Sequence, residues 1–249
     1  MNAKPADKET NPGERIAKVI ARAGLASRRD AERMIEAGRI TVDGTIITSP
    51  ALNVTADNTI TVDGKPLPQA ERVRLWSYHK PKGLVTTHRD PEGRPTVFAA
   101  LPKNLPRLMS IGRLDINSEG LLLLTNDGDI ARKLELPKTG WIRRYRVRVH
   151  GRVDPKQLKS LEKGVTIDKV RYGPIRAVLD QQQGANAWLT VSLQEGKNRE
   201  VRRVMEHLGF SVNRLIRIAY GPFQLGKLER GRVKEVPKKI IAEQIGSLK

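Results

Sequence analysis

Gly112-Arg113-Leu114-Asp115-Ile116-Asn117-Ser118-Glu119-Gly120-Leu121-Leu122-Leu123-Leu124-Thr125-Asn126-Asp127-Gly128-Asp129 reads as a polar loop bounded by glycines, a short apolar strand, and an Asn-Asp-Gly turn. That reading fixes Asp115 at a strand end. On the residues alone the carboxylate has two roles open to it: Asp readily bonds neighbouring backbone groups and so forms turns, and it is equally a candidate for chemistry.

Outward from this loop, strand-like runs occupy Val73 to His79, Arg144 to Val149, Ala187 to Leu193 and Leu215 to Tyr220. Helical patterns cover Asp129 to Leu136, Pro155 to Lys163 and Asn198 to Leu208. They mix with the strands in no regular βαβ rhythm, which predicts an α+β fold rather than a doubly wound sheet. Toward the N-terminus, Ile16, Ala17, Val19, Ile20 and Ala23 fall at helical spacing, with Gly24 as the stop. Ser27, an acidic Asp30 three residues on, and Gly38 bracket a second helix. Two strand-turn units follow, Arg39 to Gly44 and Asn58 to Lys65, each alternating into an Asp-Gly turn. Residues 1–12 lack periodicity and are expected to be a flexible tail. The proline-rich run beginning at Lys65 marks a composition change. The expected organisation is a small domain over 13–68, a linker over 69–74 and a larger domain over 75–242.

The chain has 249 residues, 38% of them hydrophobic, enough for a core. No apolar run approaches the ~20 residues of a membrane span, and Met1 to Gly13 is polar, so a cytoplasmic location is expected. Cysteine is absent, which excludes disulfides, thiol catalysis and Cys-based zinc sites. The four histidines, His79, His88, His150 and His207, lack metal-ligand spacing, so neither metal nor cofactor is expected. The formal charge is +19, with 46 Lys and Arg against 27 Asp and Glu. It calls for a polyanionic partner, and nucleic acid fits best. Residues 1–75 carry net +2 and residues 76–249 net +17, so the larger part must hold much of that surface.

The Asp115 loop, taken with Tyr78-His79-Lys80-Pro81-Lys82-Gly83, Asp90-Pro91-Glu92-Gly93-Arg94-Pro95-Thr96-Val97-Phe98, Arg144-Tyr145-Arg146-Val147 and Glu195-Gly196-Lys197-Asn198-Arg199-Glu200-Val201-Arg202-Arg203, resembles the RsuA/RluB family of ribosomal RNA pseudouridine synthases. The resemblance runs from roughly Arg15 to Glu235. It implies a small S4-like RNA-binding domain, then a pseudouridine synthase domain with a long, bent, mostly antiparallel sheet and a cleft across its middle. It also implies cofactor-free isomerisation of uridine, in which the base leaves through N1, turns, and rejoins the sugar through C5. Attack of a carboxylate at C1′, attack at C6 and abstraction of a sugar proton remain equally open.

Asp115 is then the nucleophile. An ionised carboxylate in a partly dry cleft needs a cation beside it, and the resemblance assigns that place to Arg202, with Arg203 as second choice. Without the resemblance, Arg199, Arg202 and Arg203 read equally well as phosphate contacts on one helix. Alternation along the strand sets Arg144, Arg146 and Arg148 on one face and Tyr145, Val147 and Val149 on the other. A Tyr so placed is ordinarily core, whereas the resemblance makes Tyr145 the platform against which the target base packs. Arg113 would take the flipped base's place in the RNA stack, its plainer role being a phosphate contact. The remaining expected RNA contacts are Arg15, Lys18, Arg22, Arg28 and Arg29 in the small domain, and Lys80, Lys82, Arg144, Arg146, Lys197, Arg199 and Arg203 in the large one. Lys80 and Lys82 lie in a segment equally suited to bracing the catalytic loop.

Two rivals compete with this reading: an RNA-binding or ribosome-assembly protein without chemistry, and a metal-dependent nuclease. The second is disfavoured because Glu119, Asp127 and Asp129 form no ligand pattern. The Asp90 to Phe98 segment resembles the large-subunit branch of the family, which favours 23S over 16S ribosomal RNA, either naked or in an assembling particle. The absence of long heptads speaks against coiled-coil assembly, and a monomer is expected.

Overall fold

A computed structural model describes residues 13–136 and 139–246; the tail expected over 1–12 lies outside them. The chain forms two compact units with the boundary between Arg72 and Val73.

The first unit contains β1 (Glu14–Arg15), α1 (Ile16–Arg22), α2 (Arg28–Glu36), β2 (Ile40–Val42), β3 (Thr45–Ile47), β4 (Asn53–Val54), β5 (Ile60–Val62) and β6 (Lys65–Pro66). The first helix starts at Ile16, because Glu14 and Arg15 pair with Val54 and Asn53 in a short strand. Ser27 caps α2 by accepting from the Asp30 N–H at 3.0 Å. The two echoing strand-turn units pair with each other, Ile40 opposite Val62 and Val42 opposite Ile60, within the order β3-β2-β5-β6. Each ends in a two-residue turn with positive φ at both positions, 50° and 79° at Asp43-Gly44 and 50° and 74° at Asp63-Gly64. That turn matches the natural twist of an antiparallel hairpin. Ile16, Ile20, Ala31, Ile35, Ile40 and Val62 form the core of this unit.

The second unit contains β7 (Leu75–Lys80), β8 (Met109–Ile111), β9 (Glu119–Thr125), α3 (Gly128–Glu135), β10 (Arg143–His150), α4 (Pro155–Ser160), β11 (Val165–Ile167), β12 (Val170–Tyr172), β13 (Ile175–Gln183), β14 (Asn186–Leu193), α5 (Glu200–His207), β15 (Ser211–Tyr220), β16 (Phe223–Gln224), β17 (Val233–Glu235) and α6 (Lys238–Ile245). Nine strands make one sheet in the order β13-β14-β10-β15-β9-β7-β17, with β16 on β15 and β8 on β9. Every pairing in it is antiparallel except β15 with β9.

The all-apolar run of β9 has a structural reason. Leu122 and Leu124 pack with Trp76, Tyr78, Val147 and Val204 on one face, while Leu121 and Leu123 pack with Leu75, Ile130, Leu134 and Ile241 on the other. At the parallel crossing, Gly120 opposes Arg217. Its φ is +104°, and a Cβ there would stand 2.3 Å from the Arg217 carbonyl oxygen, so only glycine fits.

Several elements escaped the sequence pattern. The polar Gln181-Gln182-Gln183 end hides β13, and β17 and α6 are short; α6 reaches Ile245, whose side chain joins the core. The helix expected from Asn198 begins only at Glu200, because Arg199 caps it in the left-handed conformation, φ 50°. Among the described residues no helix is long and apolar enough to cross a membrane.

Candidate active site

A cleft of about 1020 Å³ opens between the loop carrying Arg113 to Ser118, the strand residues Tyr145, Leu193, Leu215 and Arg217, and the segment from Glu195 to Val201. The Asp115 loop is held by its backbone. Thr86 Oγ1 accepts from the Leu114 N–H at 3.3 Å and donates to the Leu114 carbonyl at 2.8 Å. Lys80 Nζ donates to the carbonyls of Asp115, Ile116 and Ser118 at 3.1, 3.4 and 3.0 Å, and to Pro81 at 3.0 Å. Gly83 N–H reaches the Ile116 carbonyl at 2.8 Å, and Arg202 Nη2 the Asn117 carbonyl at 3.1 Å. Five successive carbonyls, Leu114 to Ser118, are thus satisfied while the Asp115 side chain stays 30% exposed in the cleft. The backbone is fixed and the carboxylate is left accessible, as a nucleophile requires.

Two guanidinium groups face that carboxylate. Arg199 Nη1 lies 3.8 Å and Arg202 Nε 4.0 Å from Asp115 Oδ2. Arg202 was the expected partner; the structure adds Arg199, which the left-handed cap carries into the cleft. Arg202 is nearly buried, with Nη1 on the Val212 carbonyl at 3.1 Å and an Nε that has no hydrogen-bond partner. Burial and the neighbouring Arg199 lower its pKa, and Asp115 opposes the shift. Glu200 begins this helix and accepts from the Lys197 N–H at 2.8 Å. Burial raises its pKa, since the charged form is poorly solvated there. Arg203, the second choice, is exposed, lies outside the cleft lining and does not face Asp115, because the helical turn carries it away from Arg202.

Tyr145 lies in the cleft wall, 8% exposed, and its hydrophobic body also joins the main core. Arg113 and Lys197 line the cleft.

Lys80 is a correction. Expected among RNA contacts, it is wholly buried and braces the Asp115 loop. Burial lowers its pKa to about 8, with Asp115 and Glu119 acting in the other direction. Lys82 lies 3.9 Å from Glu119. Arg144 and Arg146 are exposed, as alternation predicts, but on the sheet face opposite Tyr145 and therefore not in the cleft.

In the first unit Arg15, Arg28 and Arg29 are exposed, and Arg15 donates to the Ala51 carbonyl. Lys18 and Arg22 both pair with Glu14. Burial of Glu14 opposes ionisation, but the two cations prevail and hold its pKa below the ordinary value.

The cleft also holds two buried arginines that the sequence pattern did not single out, Arg143 and Arg217, 8% and 2% exposed. Both flank Tyr220: Arg143 donates to its hydroxyl at 2.9 Å, and each guanidinium lies within about 5 Å of its ring centroid, at 4.8 and 5.1 Å. The signal was present. The same alternation that turns Tyr145 inward turns Arg143 inward, and the Leu215-Arg217-Ala219 face holds an arginine among apolar residues. Among the described residues no group of three or more His, Asp or Glu could hold a metal.

Residues 74–207 match the family described as RNA pseudouridylate synthase, and residues 14–60 match the S4 domain. A Rickettsia felis protein named as an uncharacterized RNA pseudouridine synthase is 51% identical over 228 residues, 92% of this chain and 99% of that one. The ribosomal large subunit pseudouridine synthase B of Salmonella typhimurium is 45% identical over 225 residues, 88% of this chain and 77% of its own. A crystal structure of a pseudouridylate synthase superposes with TM-score 0.67 at 24% identity, over 93% of this chain and 100% of that one, a likeness of fold.

Proposed function

The chain belongs to the RNA pseudouridylate synthase family, and from that premise we propose that it converts a uridine of 23S ribosomal RNA to pseudouridine with Asp115 as the reacting carboxylate. The observation that supports the assignment most is Asp115 itself: backbone pinned, side chain open to the cleft, two guanidinium groups 3.8 and 4.0 Å away. Those two cations balance the charge that a reacting carboxylate carries into a partly enclosed site.

The reaction is balanced within the substrate. The N1–C1′ bond breaks, the C5–C1′ bond forms, C5 gives up its proton and N1 gains one, so no redox partner enters. Tyr145 offers a flat apolar surface to the detached base as it turns, and Arg113 at the loop tip fills the gap it leaves in the RNA, which offsets an extrusion cost of a few kcal/mol. Arg199, Arg202 and Lys197 serve the carboxylate and the adjoining phosphates. Residues 13–68 anchor the RNA through Arg15, Arg28 and Arg29, and residues 75–242 carry out the chemistry. The 23S assignment rests on the Salmonella relative and on the Asp90 to Phe98 segment; the substrate is naked RNA or an assembling particle, met by a monomer in the cytoplasm.

The test is tritium release from 23S RNA carrying uridine tritiated at C5. Wild-type protein should release it, and Asp115→Ala should bind the RNA without releasing any. Release by the variant at the wild-type rate would remove Asp115 from the mechanism. A pseudouridine map of 23S RNA that is unchanged when the protein is deleted would remove the substrate assignment.

A further inference from the structure

We propose that the outward face of β13, β14 and β10 is a second RNA-docking surface, on the side of the sheet opposite the cleft, which holds RNA flanking the segment being modified. The inference rests on RNA being the substrate. The pairing register sets Arg176, Ser192 and Arg144 side by side across the three strands, then Val178, Thr190 and Arg146, with Trp188 beside Arg148. Their inward neighbours Tyr145, Val147, Leu189 and Val191 are all buried, whereas Arg144, Arg146, Arg148, Arg176 and Val178 are exposed. Four arginines thus share a surface with one carboxylate, Asp180, which already accepts from Thr190 at 2.9 Å. Among the described residues none of the four has a carboxylate within 4.0 Å, unlike Lys18, Arg74 or Arg94 elsewhere in the chain.

The composition identifies the occupant. An apolar partner sheet or helix would need an apolar face, yet the outward positions here are arginine, serine, threonine, asparagine, His150 and Asp180, with Val178 and Trp188 the apolar exceptions. Polyphosphate meets this charge directly. Arg144, Arg146 and Arg148 form a row about 14 Å long, the span of several nucleotides. The Arg146 guanidinium lies 4.7 Å from the Trp188 ring centroid, an arrangement that leaves a flat cation and a ring edge available to an unpaired base. The cleft faces the other way, so one RNA stem cannot occupy both. A longer RNA that wraps the sheet edge can.

The discriminating pair is Arg148→Gln/Arg176→Gln, with charge reversal in R148E/R176E as the stronger form. Affinity and turnover are measured on a short stem-loop holding only the target uridine and on a longer fragment with flanking sequence. Two lost phosphate contacts should flatten the log–log salt dependence for the long RNA by about 1.5 and weaken its binding by roughly 5- to 20-fold, more for the reversal, while turnover of the short RNA keeps the wild-type rate and reports intact folding. Equal losses on both RNAs, or none on either, would overturn the inference. So would an unchanged salt slope accompanied by conversion of a self-associated protein to monomer, which would make the face a contact between copies. Wild-type protein that modifies neither RNA overturns the functional reading first, and this inference with it.

Discussion

Asp115 and Glu119 are four residues apart, both acidic and both ringed by cations, yet one faces a cleft and the other is sealed. Glu119 is 3% exposed and takes Arg214 Nε at 2.8 Å, Arg230 Nε at 3.3 Å and Lys82 Nζ at 3.9 Å. Burial alone would raise its pKa, but the Arg214 hydrogen bond and the three charges outweigh it and leave the value below the ordinary one. Among the described residues no cation comes nearer to Asp115 than 3.8 Å, and its side chain stays 30% exposed. The Glu119 oxygens are engaged within the fold, whereas the Asp115 carboxylate stays open to the cleft. A cation count around each acid would not separate the two, whereas contact distance and exposure do.

If that contrast is right, Asp115→Asn should lower kcat by roughly three orders of magnitude or more and change unfolding free energy by less than about 0.5 kcal/mol. Single-turnover tritium release and denaturant melts of the same preparation check both halves.

Lys80→Met should act on both properties. With its loop carbonyls losing their donor, kcat falls roughly 10- to 100-fold and stability drops by about 2 kcal/mol. The folded pKa of about 8 against an ordinary value of 10.5 sets the pH signature. Above pH 8 the folded protein sheds this proton before the unfolded chain does, so the Lys80 contribution makes wild type gain stability relative to the variant as pH rises from about 8 toward 10.5. Over the same interval wild-type turnover declines as the ammonium loses its charge and its grip on the loop. Melts across that window, compared with K80M, give the sign.

Glu119→Gln should reverse the Asp115 pattern, losing about 2 kcal/mol of stability while kcat stays within about 10-fold of wild type. Equilibrium unfolding read beside turnover decides it, and an unchanged melt would deprive Glu119 of its structural role. The smallest effect belongs to Lys82→Gln. Lys82 is 47% exposed and 3.9 Å from Glu119, so stability should change by less than about 0.5 kcal/mol. If Lys82 also meets phosphate, the salt slope of RNA binding flattens by about 1. A filter-binding salt titration reads that directly.

The sequence by itself determined whatever depends on neighbours along the chain. The Ser27 cap, the Asp43-Gly44 and Asp63-Gly64 turns, the apolar β9 and the two faces of β10 all follow from side-chain chemistry at separations of one to four residues. The strand-end place of Asp115 was legible for the same reason, whereas its catalytic reading rested on the family resemblance. For Arg202 the place beside that carboxylate was implied by the resemblance alone, and only the tertiary structure added Arg199, because both come to it from more than 80 residues away through strand order, and periodicity carries no strand order. Lys80 reads equally as a phosphate contact and as a brace until β7 is laid beside β9, when its stem is buried and its ammonium is surrounded by carbonyls. Arg199 likewise turns into the cleft only because one residue at the helix cap takes a left-handed backbone. A sheet brings distant residues together by pairing, and it is pairing that converts a strand-end aspartate into a site.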